Sequence, residues 1–203
     1  MNDQPERVTF YFDPACPWTW RTSRWLVDTA SRHGVPVSYR AFELSNGASL
    51  DTVPEQYRAG AVASRQLLRA VEMAHAGEAD GIIEAVYTAN GTAIHDEGQD
   101  PSTELVRQSL TDAGGQQYLG ALSDDSLDAS VASARRLAQE HSGDDTGSPV
   151  LVLTTAAGER GFFGPVLAPT PTGEAADRIW DLLLGAAAAP EFFELKCRRT
   201  SSP

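Results

Sequence analysis

With 203 residues, 41% of them hydrophobic and 22% charged, the chain has an ordinary globular composition, enough for one domain or a domain with an insertion. A formal net charge of -12 speaks against nucleic acid or an anionic membrane as partner, since both require a positive footprint. Met1–Arg7 lacks the basic and apolar regions of a signal peptide, no run approaches the ~18 apolar residues of a membrane span, and two cysteines make no disulfide framework, so a cytoplasmic protein is expected.

The first element is an apolar run, Val8–Phe12, rich in β-formers and suited to a buried strand. Asp13-Pro14-Ala15-Cys16-Pro17-Trp18-Thr19-Trp20 then turns the chain into a helix. Pro17 fits the first helical position, where its fixed φ suits the helix and its missing N–H costs nothing. That makes Cys16 the N-cap, facing free N–H groups and the positive end of the helix dipole, an environment that favours the thiolate and lowers a cysteine pKa. The residue types point to an activated sulfur nucleophile. A dithiol oxidoreductase would carry a second cysteine at position 19; Thr19 stands there, closing off a local disulfide but leaving a hydroxyl and an N–H within reach of the thiolate.

The helix keeps an apolar or small face through Trp25, Leu26 and Ala30 and ends at His33-Gly34, where glycine supplies a left-handed cap. Val35–Leu44 alternates as a strand, giving β-α-β and therefore a parallel pair. After a polar loop at Ser45–Ser49 come helices alone: Pro54 to about Ala76, Asp80–Asn90, one started by Asp100-Pro101 and running to Asp112, then Gln116–Leu122 and Ser126–Glu140. Ser142–Gly147 reads as a turn, and Ser148-Pro149 precedes a β-hairpin of Val150–Thr154 and Arg160–Gly164. A final amphipathic helix opens at Gly173-Glu174 and carries Ile179, Trp180, Leu183 and Leu184. The tail, Pro190–Lys196, brings two aromatics, Phe192 and Phe193, expected to dock on the body. This order belongs to an α/β chain of thioredoxin-like fold: 1–50 as its first part, 51–141 as an inserted all-helical subdomain, and 142–203 as its second part.

The strand-D-P-x-C-P-W-x-W junction, the helical insertion and the G-S-P-strand resemble the DsbA-like thioredoxin-fold family. More narrowly, Thr22-Ser23-Arg24-Trp25, Pro54-Glu55-Gln56-Tyr57-Arg58, Ile94-His95, Phe162-Phe163-Gly164-Pro165-Val166 and Phe192-Phe193-Glu194-Leu195-Lys196 are similar to the actinobacterial mycothiol-dependent nitroreductases, over nearly the whole chain. The resemblance implies a cytoplasmic enzyme that uses the low-molecular-weight thiol mycothiol as cosubstrate, with Cys16 as the reacting sulfur. It also implies a cis bond at Ser148-Pro149 beside Cys16, Ser148 backbone available to the thiol substrate, Trp18 and Tyr57 as pocket walls, and His95 close by. The departure is Thr19, where such nitroreductases carry a second cysteine; it removes a dithiol cycle and leaves a monothiol one.

The expectation is therefore a mycothiol-dependent monothiol oxidoreductase with Cys16 and Thr19 catalytic, and with Pro17, Trp18, Tyr57, His95, Ser148 and Pro149 binding the thiol or its substrate. Two alternatives stand beside it. One is a thiol-dependent transferase or isomerase of the kappa-class glutathione transferase or 2-hydroxychromene-2-carboxylate isomerase type, the other a non-catalytic binding descendant of the fold. Partners are a small-molecule substrate and a small thiol, without nucleic acid, membrane or metal, and a homodimer is left open. Trp20 and Trp25 sit at core spacing, and Cys197 reads as an unreactive tail cysteine.

Overall fold

The structure, a computed structural model, describes residues 4–200, with Leu50 described by its backbone alone. Its centre is a sheet of four strands in the order β2-β1-β3-β4. β1 (Arg7–Phe12) runs parallel to β2 (Val37–Ala41), with Val8 opposite Val37 and Phe12 opposite Ala41. On its other side β1 is antiparallel to β3 (Val150–Thr155), which forms a hairpin with β4 (Gly158–Phe163). The parallel pair and the hairpin are thus present as the sequence predicts. β2 is shorter than the alternating stretch Val35–Leu44, because Leu44 turns its N–H to the Asp13 carboxylate instead of the sheet.

Both sheet faces are covered. Phe10 and Phe12 look towards α1 (Pro17–His33) and α3 (Asp80–Gly91): the Phe12 ring lies 4.2 Å from Tyr87, and Trp20 meets Tyr87 edge-on at 5.5 Å. Gly91 is required there, since a Cβ would fall 2.3 Å from the Trp20 ring. α6 (Glu174–Ala187) packs behind α1, where Trp25 donates its indole N–H to Ala176 O at 3.1 Å. On the opposite face Gly161 of β4 touches α5 (Asp128–Ser142) so closely that a Cβ would sit 2.5 Å from that of His141. α2 (Glu55–Ala76) runs along β2, and its buried Glu72 accepts from Ala41 N–H at 2.8 Å and from the Arg40 guanidinium. Trp20 and Trp25 are both buried in the core, as their spacing predicts. Among the described residues no helix is long and apolar enough to cross a membrane.

Three local expectations need correction. α4 (Thr103–Asp112) is capped by Ser102, whose hydroxyl accepts the Leu105 N–H at 3.2 Å, so Asp100-Pro101 lies ahead of the helix and does not start it. Gln116–Ser123 is a 3₁₀ segment, and a wider π-type turn at Thr92–Asp96, absent from the sequence reading, extends α3. In the tail only one aromatic docks. Phe192 packs on Phe162 with ring centres 6.2 Å apart, while Phe193 is 84% exposed.

Candidate active site

The strand-to-helix junction is built as its residues dictate. Asp13 O accepts the Cys16 N–H at 3.1 Å, Cys16 takes extended dihedrals as the N-cap, and its carbonyl accepts the Trp20 N–H at 3.0 Å, which opens α1 behind Pro17. The antiparallel register of β1 and β3 carries Ser148 to the same end of the sheet. The Cys16 thiol, 8% exposed as a residue, points at the Ser148 carbonyl oxygen 3.9 Å away, immediately before a cis Ser148-Pro149 bond.

A chain of hydroxyls runs alongside. Asp13 N–H donates to Ser148 Oγ at 3.0 Å, and Ser148 Oγ lies 2.8 Å from Thr19 Oγ1. Because Ser148 Oγ already accepts, it can pass its own proton to Thr19 Oγ1 and leave the Thr19 proton for the sulfur. The position that would hold a second thiol therefore holds a fully buried hydroxyl tied to Ser148.

The expected depression of the Cys16 pKa is not what this setting produces. Burial pushes the thiol above its ordinary range; the Thr19 hydroxyl and the N–H groups of Thr19 and Trp18 pull it down, and the buried Asp13 pushes it up. The helix start is local, but the protein packed over it is not, and desolvation outweighs the donors. The thiol makes no regular capping hydrogen bond. Since the Thr19 hydroxyl favours the thiolate, its removal must raise the pKa and reduce the ionised fraction at neutral pH. Thr19→Val, which keeps the shape, is expected to slow iodoacetamide labelling of Cys16 at pH 7.5 about fivefold, the worth of one hydrogen bond of ~1 kcal/mol. An unchanged or faster rate would mean that the hydroxyl does not serve the sulfur.

Asp13 is the residue that the sequence reading passed over. It is 3% exposed, and its carboxylate accepts from Ala15 N–H at 2.9 Å, Ser64 Oγ at 2.7 Å and Leu44 N–H at 2.8 Å. One side chain thus ties the Cys16 loop to α2 and to the segment after β2. Burial raises its pKa against these three donors. An acid directly after an apolar strand, and Ser64 as a polar residue on the buried face of α2, were the signals available in the sequence.

The remaining predicted residues take distinct places. His95, in the π-type turn, donates from Nε2 to Pro14 O at 2.9 Å and stacks on Trp20 at 5.9 Å; burial lowers its pKa, which favours the neutral ring. Trp20 donates its indole N–H to Asp96 at 3.0 Å. Tyr57 is 62% exposed in the first turn of α2, one turn before Gly60, which faces Ala15 and Pro101. Trp18 is half-buried and carries the Arg199 guanidinium 4.8 Å from its ring centre. Pro17 and Pro149 flank the thiol and the Ser148 carbonyl.

Compared with known proteins, residues 15–197 match the model of the Rv2466c-like family, described as mycothiol-dependent nitroreductase Rv2466c. The uncharacterized protein Rv2286c of Mycobacterium tuberculosis (strain ATCC 25618 / H37Rv) is 29% identical over 205 residues, covering 97% of this chain and 83% of that protein. Among solved structures, the cytosolic disulfide reductase DsbM from Pseudomonas aeruginosa superposes with a TM-score of 0.61 at 16% identity, covering 88% of this chain and 98% of the other. A probable DsbA oxidoreductase, SCO1869 from Streptomyces coelicolor, gives 0.54 at 22% identity, covering 97% and 95%. These likenesses establish the DsbA-like thioredoxin fold.

Proposed function

The chain belongs to the Rv2466c-like family and is a thiol-dependent oxidoreductase; from that membership and the geometry at Cys16 we propose a monothiol cycle with mycothiol as cosubstrate. The observation that carries the proposal is the N-cap thiol of Cys16 pointing at the Ser148 carbonyl, with Thr19 in place of a second cysteine. The Cys16 thiolate attacks one sulfur of an oxidised small-molecule disulfide and expels the other as a thiol. The mixed disulfide is then opened by further thiol, so that two thiols are oxidised to one disulfide for each substrate disulfide reduced. A thiol with a raised pKa is rarely ionised at neutral pH, but its thiolate is the stronger nucleophile.

In this reading Ser148 offers its backbone to the incoming thiol as a short strand addition. Trp18, Tyr57, Pro17 and Pro149 form the walls, and His95 holds the loop ahead of Cys16 by its bond to Pro14 O. The helical segment 51–141 roofs the pocket, with Gly60 of α2 over Ala15. A pool of reduced small thiol places the work in the cytoplasm.

The test is product analysis with mycothiol and a small disulfide substrate. The reading expects two mycothiols converted to mycothiol disulfide per substrate disulfide reduced. An adduct or isomer at unchanged oxidation state would replace it with the transferase or isomerase reading, and binding without turnover would leave a binding protein.

A further inference from the structure

The chain's second cysteine, Cys197, lies on a tail that returns to the Cys16 motif. Arg160 of β4 grips the start of that tail, donating to the carbonyls of Ala189, Pro190 and Phe192 at 3.4, 3.3 and 2.5 Å, and Phe192 packs on Phe162. Beyond this anchor the chain crosses to α1, where Arg199 places its guanidinium over Trp18, two residues from Cys16. Cys197 is therefore held between a clamp on β4 and a contact on the active-site motif. It is free and exposed, and so are Phe193 and Leu195, so the segment from 193 to 198 can shift without giving up buried surface. Cys197 lies five Cα–Cα steps beyond Phe192, a reach of up to ~17 Å.

We propose that Cys197 is the resolving thiol of Cys16, replacing in space the cysteine that Thr19 replaces in sequence. This rests on the monothiol reading above, since it acts on the mixed disulfide which that reading forms. Cys197 loses its thiol proton to solvent, and its sulfur attacks Cys16 Sγ. The bond between Cys16 and the bound small thiol breaks, and that thiol leaves as a thiolate and takes up a proton. The protein has then given two electrons to the substrate disulfide and holds a Cys16–Cys197 disulfide. Two small thiols of the mycothiol class reduce it and leave as their own disulfide. The Arg199–Trp18 contact keeps the tail close enough for the attack to be intramolecular.

The experiment exposes the reduced, full-length protein to one equivalent of mycothiol disulfide, quenches with acid, and maps peptides without reduction. The wild type is expected to lose two hydrogens in mass and to yield a Cys16–Cys197 linked peptide, while Cys197→Ser retains one mycothiol on Cys16, released at least tenfold more slowly. Arg199→Ala is expected to slow the resolution about two- to fivefold, as loss of one exposed cation–π contact. A lasting Cys16 adduct in the wild type, with Cys197 open to alkylation, would overturn the assignment and leave the monothiol reading intact. No adduct on Cys16 in either protein would overturn both.

Discussion

Replacing Asp13 by Ala is expected to destabilise the protein by at least about 3 kcal/mol, since three donors, Ser64 Oγ and the N–H groups of Ala15 and Leu44, lose their acceptor, each at a cost of ~1–3 kcal/mol. In a chain of this size that lowers the melting temperature by roughly 6–12 °C. Asp13→Asn should fall between the two: its oxygen can still accept from Ser64 and Ala15, while its amide meets the Leu44 N–H donor to donor. Ser64→Ala removes one donor and should cost less than either. Thermal unfolding of the three variants checks the order. Equal stability of Asp13→Ala and wild type would mean that the carboxylate does not hold the Cys16 loop to α2 and the β2 end.

Cys16→Ser is expected to reduce mycothiol-dependent disulfide reduction more than about a thousandfold, because a hydroxyl at neutral pH supplies almost no anionic nucleophile and the neighbouring groups have no bond left to form with substrate. The swap is nearly isosteric and gives up only a weak thiol contact to the Ser148 carbonyl, so the melting temperature should change little. The expected contrast would separate the two residues, a loss of stability at Asp13 and a loss of turnover at Cys16. Turnover within tenfold of wild type in Cys16→Ser would place the reacting sulfur elsewhere.

What could be read from the sequence was local. Pro17 behind Cys16 marks a helix start because both effects act within one turn, and the parallel pair and hairpin follow from short-range patterning around Gly34 and Gly158. The site's long-range bonds were not legible. Thr19 and Ser148 meet across 129 residues, and Asp13 and Ser64 across 51; neither pair leaves a periodic trace. The direction of the Cys16 pKa failed for the same reason, since the helix start is visible in the residues and the burial over it is not. Phe192 and Phe193 show the limit at its smallest, because neighbouring side chains of an irregular tail point different ways and the backbone alone decides which one docks. Cys197 reads as inert in the sequence, because nothing local shows that Arg199, two residues on, comes back to Trp18.

The most direct test of the central claim is the peptide-resolved mass of the Cys197→Ser protein after incubation with mycothiol disulfide. The account predicts one mycothiol, bound through a disulfide in the peptide that contains Cys16, and its loss on addition of free mycothiol. A Cys16 that stays unmodified and open to alkylation after the same exposure would contradict it.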